Sequence, residues 1–264
     1  MENEAFIRLS FFIGLFALFA ATEAVMPRRE RRASQPRRWA TNWAIVVLDT
    51  LTLRVLALLL PLLAVGAAID AEALGWGLFN QFALPFWLEV ILVILIFDLA
   101  IWAQHVLSHK VPFLWRIHRV HHADRDMDVT TAIRFHPIEI ALSMILKIGL
   151  VYLLGPAAWA MIAFEVLLNG SAMFNHANIK LPLWLDRVLR WVMITPDMHR
   201  IHHSVYRREH DTNYGFALSW WDRLFGTYTE QPQDGHDKMT VGLEWQDEAP
   251  TQLGWSLLLP FQRR

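Results

Sequence analysis

Residues 82–122, FALPFWLEVILVILIFDLAIWAQHVLSHKVPFLWRIHRVHH, change character midway. From Phe82 to Ala103 the run is rich in Leu, Ile and Val and is charged only at Glu89 and Asp98; about 20 such residues, as a helix, cross about 30 Å of hydrocarbon. Directly beyond stand His105, His109, His118, His121 and His122. An apolar span that ends in imidazoles predicts membrane-crossing helices with a histidine-rich, metal-binding cap at one boundary.

The remaining apolar runs fit that frame. Leu9–Val25, charged only at Glu23, is one span, and the acidic start Met1-Glu2-Asn3-Glu4 lacks the positive opening of a signal peptide, so this helix is expected to stay. Trp43–Ile69, interrupted by Asp49 and Arg54, is another. Ile138–Phe174 is too long for one crossing, and Gly155-Pro156 splits it into two arms of about 17 residues, a helical hairpin that enters and leaves on one side. The expected fold class is all-α integral membrane, with about four to five membrane-embedded helices. The organisation is read as two N-terminal transmembrane helices over 1–81, a catalytic region over 82–230 and a C-terminal tail over 231–264.

Orientation follows from charge. Arg28-Arg29-Glu30-Arg31-Arg32 and Arg37-Arg38 fill the short loop after the first span, which the positive-inside rule keeps cytoplasmic. The acidic turn Asp70–Gly77 then lies outside, and the third span returns His105 to the cytoplasmic face. Trp184, Trp191, Trp220, Trp221 and Trp245 punctuate the more polar region beyond Ile179, as expected of a layer lying against headgroups. The terminal Gln262-Arg263-Arg264 is no eukaryotic retention signal and, with the compact size, points to a bacterial inner membrane.

Composition narrows the chemistry. At 55% hydrophobic and 19% charged with a net charge of −1, the 264-residue chain offers neither the basic surface of a nucleic-acid binder nor the charge of a disordered chain. With no cysteine, any metal must be held by His, Asp or Glu, and thiolate zinc sites and Cys-ligated iron–sulfur clusters are excluded. Ten of the 12 histidines fall between His105 and His203. They include His105-x3-His109 and two copies of His-x2-His-His, at His118-His121-His122 and His199-His202-His203. A single copy arises by chance with probability of roughly 0.02. Spacings of three and four place the rings on one helical face, and eight clustered imidazoles are too many for one ion, so two ions a few ångströms apart are expected. Zinc hydrolysis would require a water-activating carboxylate; no His-Glu-x-x-His is present, although Asp98, Asp124 or Asp197 could serve. Iron requires only open coordination positions and electrons, and oxidation of a lipid C–H bond is the favoured chemistry.

These residues resemble the fatty acid hydroxylase/sterol desaturase superfamily of membrane non-haem di-iron enzymes. The likeness covers about Phe82 to Tyr228. It rests on the ordered histidine motifs and on Arg134-Phe135-His136-Pro137-Ile138-Glu139, Phe174-Asn175-His176-Ala177-Asn178, Thr195-Pro196-Asp197-Met198-His199, Asn213-Tyr214-Gly215 and Trp220–Thr227. The resemblance implies a cap holding two Fe ions, for which zinc can substitute, with His105, His109, His118, His121, His122, His176, His199, His202 and His203 as ligands. It further implies O2 as co-substrate and hydroxylation or desaturation of a lipid-like substrate, such as a sterol, fatty acyl chain or carotenoid. Electrons would come from an external donor, a reductase, ferredoxin or cytochrome b5-like protein. His136 is either a tenth site histidine or a plain loop residue; His210 and His236 match no ligand motif and are read as surface residues.

Outer candidates come from position. Asp98, seven residues before His105 on the same helical face, either orients an imidazole N–H or is a boundary residue; Asp197 either caps the last His helix or supports its ligands. Asn175 and Asn178 flank His176 and are expected to hold it. Trp102, Trp115, Phe135 and Phe174 are read as packing residues rather than substrate contacts. A zinc-dependent lipid hydrolase and a non-catalytic metal- or lipid-binding membrane protein remain as alternatives.

Overall fold

The computed structural model describes residues 4–59 and 63–262. The start of the acidic N-terminus, the middle of the second apolar run and the terminal Arg263-Arg264 lie outside the described residues. The main helices are α1 (Glu4–Val25), α2 (Gln35–Leu59), α3 (Ala64–Leu74), α4 (Phe86–Lys110), α5 (Pro112–His122), α6 (Pro137–Leu154), α7 (Ala158–His176), α8 (Leu183–Leu189) and α9 (Pro196–His202). No strand occurs among the described residues; pairing is limited to isolated bridges such as Pro27 with Ile179. Four segments are long and apolar enough to cross a membrane, Ala5–Val25, Gln35–Gln81, Phe86–Lys110 and Pro137–Leu154, which makes this a multi-pass membrane protein. The helix α7 is of similar length but more polar. Its buried Glu165 meets Arg8 at 2.7 Å and Lys147 at 3.4 Å inside the bundle.

α4 is the axis of the molecule. Val93, Phe97, Ile101, His105 and His109 are all buried and recur every four residues, so the stripe that packs α4 against its neighbours turns from apolar to imidazole without leaving the helix. Phe97 meets Phe164 of α7 with ring centroids 5.2 Å apart. The helix stops at Val111 because Pro112 cannot donate a backbone hydrogen bond; the same proline opens α5 at its first turn.

The expected hairpin breaks at Gly155, which adopts φ 62° and caps α6. The short α3 packs against both arms, with Ala64, Ala67, Ala68 and Ala71 fully buried, their small side chains allowing the close approach. Gly77 faces Gly155 so closely that a Cβ on it would lie 2.2 Å from the Gly155 nitrogen.

The arginine loop does more than set orientation. Arg38 forms a bidentate pair with Asp124 at 2.6 and 2.7 Å and bonds Asp128 at 2.9 Å, pinning the end of α5 to the start of α2. Arg28 bonds Asp197 at 3.2 Å, and the backbone of Arg29 donates to the side chain of Asn178 at 3.1 Å. The 231–262 segment packs back onto the bundle: the carbonyl of Leu259 accepts from Arg119 at 2.6 Å and that of Thr251 from Thr41 at 2.6 Å. Trp184, Trp191 and Trp220 are exposed beside exposed Leu183, Val188 and Leu224, an apolar surface suited to the headgroup layer.

Arg38→Ala would leave two buried carboxylates facing each other without their cation. The expected loss is about 3–5 kcal/mol of stability, read as a large fall in thermal midpoint in detergent, whereas Arg37→Ala, on an exposed side chain, should be near neutral.

Candidate metal centre

Four helices converge at one end of the bundle. α4 supplies His105 and His109, α5 supplies His118, His121 and His122, α7 supplies its last residue His176, and α9 supplies His199 and His202, with His203 one position past its end. All nine are buried. They form two groups, His105, His109, His118, His122 and His202, and His121, His176, His199 and His203, within each of which one ring nitrogen per residue lies within 4.8 Å of every other. Each His-x2-His-His motif is thereby divided. The residues four apart, His118 and His122 or His199 and His203, go to one group, and the intervening His121 or His202 goes to the other.

Proton positions follow from the partners. Nδ1 of His105 faces the Tyr214 carbonyl at 2.6 Å, that of His121 the Arg134 carbonyl at 3.2 Å, that of His176 the Ala172 carbonyl at 2.7 Å and that of His202 the Thr212 carbonyl at 2.7 Å. His118 Nδ1 faces Glu139 Oε1 at 2.6 Å. A carbonyl or carboxylate oxygen accepts, so Nδ1 carries the proton in each ring and Nε2 carries the lone pair. Yet His105 Nε2 lies 3.1 Å from His118 Nε2, and His121 Nε2 lies 3.0 Å from His176 Nε2. Neither member of either pair can donate. Two facing lone pairs repel, and a cation relieves them; the spacing is that of two nitrogens sharing one ion at about 2.1 Å. Both ring nitrogens of His109, His122 and His203, Nδ1 of His199 and Nε2 of His202 are buried without a hydrogen-bond partner. Burial, and then repulsion from neighbouring imidazoles, holds His121, His122, His199 and His203 well below the ordinary histidine pKa. The rings are thus neutral donors at pH 7, and the residues present fit a pair of metal ions.

The outer candidates are placed differently from expectation. Asp98 touches no histidine; it accepts from the amides of Ala217 and Leu218 at 3.2 and 3.1 Å and from the Trp221 indole at 2.9 Å. Asp197 does not cap α9, since Thr195 Oγ1 accepts from the Met198 amide, and its carboxylate joins Arg28 and Arg200. Arg200 beside it keeps that carboxyl below its usual range despite burial. Asn175 donates to the Phe216 carbonyl at 2.9 Å, and Asn178 donates to that of Arg29, so neither holds His176. His136 lies outside both groups: it caps α6 through the Ile138 amide and reaches the Leu257 carbonyl at 3.2 Å. His210 is not a plain surface residue, for its ring stacks on Trp115 at 5.1 Å and approaches that of His109 at 5.8 Å. His236 is half-buried against Asp197. Phe135 stacks on His121 at 4.4 Å, and Trp115 lies 4.9 Å from His109, so both aromatics belong to the site.

Other contributors were quoted in the motifs without a role. Glu139 orients His118. The buried Asp222 accepts from Tyr214 N at 2.9 Å, Gly215 N at 2.8 Å and Trp102 Nε1 at 3.1 Å, fixing the loop whose Tyr214 carbonyl meets His105. The Arg134 guanidinium, its pKa lowered by burial to about 10 but still cationic at neutral pH, donates to the Val120 carbonyl at 2.8 Å and to Asn42 at 2.8 Å. None of these partners is close in sequence to the histidine it supports.

Beside His105 and His118 lies a cavity of about 240 Å³ among α1, α2, α4, α6 and α7, walled by Phe12, Ile101, Ile133, Leu168 and Phe216. A smaller hollow of about 170 Å³ shares Gln104, Ser108 and Glu139 with it and reaches the exposed Leu142 and Leu146 on α6.

Glu139→Ala removes the acceptor that fixes the His118 tautomer, and metal affinity is expected to fall about 10- to 100-fold in competition with a chelator. The depressed histidines also make a pH prediction for metal-free protein. Their folded pKa values lie below the unfolded value of about 6.5, so the unfolded chain binds more protons on acidification. The stability they contribute is present above about pH 6.5 and is lost as pH falls below it, which thermal unfolding of chelated protein between pH 8 and pH 5 will read.

The comparisons with known proteins agree on one family. The fatty acid hydroxylase model matches residues 90–227, a stretch that includes all nine histidines. An ornithine lipid hydroxylase from Rhizobium tropici is 31% identical over 152 residues, 56% of this chain and 44% of that protein. An alkylglycerol monooxygenase from Homo sapiens is 28% identical over 174 residues, 64% of this chain and 36% of that protein. A very-long-chain aldehyde decarbonylase from Oryza sativa subsp. indica is 24% identical over 153 residues, 54% of this chain and 24% of that protein. The chain therefore spans less than half the length of these relatives. No solved structure matches. With its two buried histidine groups inside a match that takes in more than half of the residues, the chain belongs to the fatty acid hydroxylase family.

Proposed function

We propose that this protein is an integral-membrane oxygenase that hydroxylates or desaturates a lipid at a pair of iron ions, with O2 as co-substrate and electrons from a separate reductase, ferredoxin or cytochrome b5-like donor. The observation that carries the reading is a pair of buried histidine groups, the first of which opens through His105 and His118 onto a mainly apolar cavity among the spans. The region 82–230 is the catalytic part. His105, His109, His118, His122 and His202 would hold one ion and His121, His176, His199 and His203 the other. When bound, the irons supply reduction of O2 and abstraction of hydrogen from an unactivated C–H bond.

The chain's own residues do the rest. The carbonyls of Tyr214, Arg134, Ala172 and Thr212, with Glu139, keep protons on Nδ1 so that Nε2 atoms face inward. Phe12, Ile101 and Leu168 exclude water and align an alkyl chain beside His105 and His118, and the hollow towards Leu142 and Leu146 gives that chain a lateral way in from the bilayer. The printed names of the relatives, a lipid hydroxylase and an alkylglycerol monooxygenase, support the substrate class. Docking of Arg28 and Arg38 onto the histidine cap supports a cytoplasmic cap, since such a loop is retained on that side. The membrane is proposed to be a bacterial inner membrane. Asp98, Asp124 and Asp197, the bases a zinc hydrolase would draw on, are engaged by the 217–221 segment, Arg38 and Arg28 respectively.

Elemental analysis of detergent-purified protein should find about two irons per chain, falling by one or both in His121→Ala and His202→Ala. Conversion of a lipid should then require O2 and reductant together. Failure to bind metal tightly would overturn the reading, and turnover under anaerobic conditions without reductant would turn it into hydrolysis.

A further inference from the structure

The cavity beside His105 and His118 is apolar in most of its wall, yet the polar groups it does contain share one defect. Asp49 Oδ1, Glu139 Oε2 and Gln104 Oε1 all line it, are buried, and have no hydrogen-bond partner. All three are acceptors. Gln104 can be rotated to present its amide nitrogen instead, whereas an ionised carboxylate offers acceptors alone. Lys147, the one cation in the wall, is engaged by Glu165 on α7 at 3.4 Å, and Glu165 is met in turn by Arg8. Asp49 is thus an acidic side chain in the middle of an apolar run, 9% exposed, whose Oδ1 is buried without a hydrogen-bond partner among the described residues. Leaving such a group unpaired is costly in a membrane protein, and intramembrane carboxylates are characteristically spent on a ligand or a partner.

We infer that Asp49, with Glu139, forms a headgroup subsite that selects a lipid bearing hydrogen-bond donors close to the carbon to be oxidised, an ammonium or a pair of hydroxyls, and rejects a lipid ending in a carboxylate. The inference rests on the oxygenase reading only in taking this cavity as the substrate's place. Asp49 lies outside the 90–227 family match and Glu139 within it, so the N-terminal helices contribute one half of the subsite and the shared metal-binding region the other. A donor-rich headgroup would satisfy acceptors that no described residue satisfies, and would do so beside the imidazoles of His105 and His118 in the same wall.

The test is equilibrium binding by calorimetry to the metal-loaded 264-residue chain in neutral detergent, using three amphiphiles with the same dodecyl chain: dodecylamine, 1-O-dodecylglycerol and dodecanoate. Dodecylamine or dodecylglycerol should bind at least about tenfold more tightly than dodecanoate. The wild-type comparison needs no variant to fold. Asp49→Leu should abolish that preference. Asp49→Asn separates the sources: it keeps an acceptor but loses the charge, so ammonium binding falls about tenfold or more while dodecylglycerol binding changes little. Equal affinity for all three amphiphiles, or a preference untouched by Asp49→Leu, would overturn the subsite. Because binding is read without turnover, headgroup-selective binding with no oxidised product would count against the oxygenase reading and leave the subsite standing.

Discussion

Nine buried imidazoles have been brought together, with lone pair set against lone pair, and the rest of the structure depends on that confrontation. In water each ring nitrogen would have a partner. Here His105 and His118, and His121 and His176, turn unprotonated nitrogens towards each other at 3.1 and 3.0 Å. Such an arrangement is unfavourable unless a cation sits among the rings, so binding of the proposed ions would be coupled to the final packing of α4, α5, α7 and α9. The apolar core lower in α4 must hold the helices in register while the histidine end gains nothing by itself. Phe97 against Phe164 and the alanine-lined α3 are suited to that task because they need no ion.

Around the histidines lies a frame of buried charges that never touches a proposed ion. Asp222 and Asp98 hold the 213–222 segment from opposite ends, Asp222 at Tyr214 and Gly215, Asp98 at Ala217, Leu218 and Trp221. Together they present the Tyr214 carbonyl to His105. On the other side Arg38 anchors Asp124, two residues after His122, and Asn42 anchors Arg134, whose carbonyl meets His121. Arg38 on Asp124 outweighs the effect of burial and keeps that carboxyl well below its usual range, so the pair stays ionised where an isolated carboxylate would take up a proton. Five of the ring orientations, those of His105, His118, His121, His176 and His202, are therefore traceable to a carbonyl or carboxylate, and the acceptor at His105 is traceable in turn to buried Asp222.

What was legible in the sequence was local. Spans can be read because hydropathy accumulates along one helix, and the histidine motifs because a spacing of three or four is a direction on one helix. The division of each His-x2-His-His between two groups was not read from the sequence, where each motif was taken to share one helical face; the residues four apart, which point most nearly the same way, stay together. What escaped was non-local. Asp98 was read against His105, seven residues along its own helix, but its partners are 119, 120 and 123 residues away. Asp197 was read as either a cap for the helix it sits on or a support for its ligands, and meets Arg28, 169 residues earlier. Asn175 and Asn178 stand next to His176 in sequence, yet on either side of a helix end neighbours point apart, and the Ala172 carbonyl one turn back holds the ring. The arginine loop carried a topological signal that hid a structural one, because Arg28 and Arg38 look like any positive-inside residues until their carboxylates are known.

The layout separates two tasks along the chain. The histidines, and the Nδ1 partners identified for five of them, lie between His105 and Tyr214, within the family match. The wall facing them is built partly by Phe12 on α1 and by Val46 and Asp49 on α2, outside that match. A change in the first set disturbs the ion-holding geometry, where a ring misplaced by a fraction of an ångström costs affinity and rate together. A change in the second set alters what lies against the rings without moving them, because α2 is tied to the cap at Arg38 and Asn42, below the cavity-lining residues rather than through them. Helices free of ligand duty that nonetheless line the cavity are where substrate preference can shift while the chemistry stays the same.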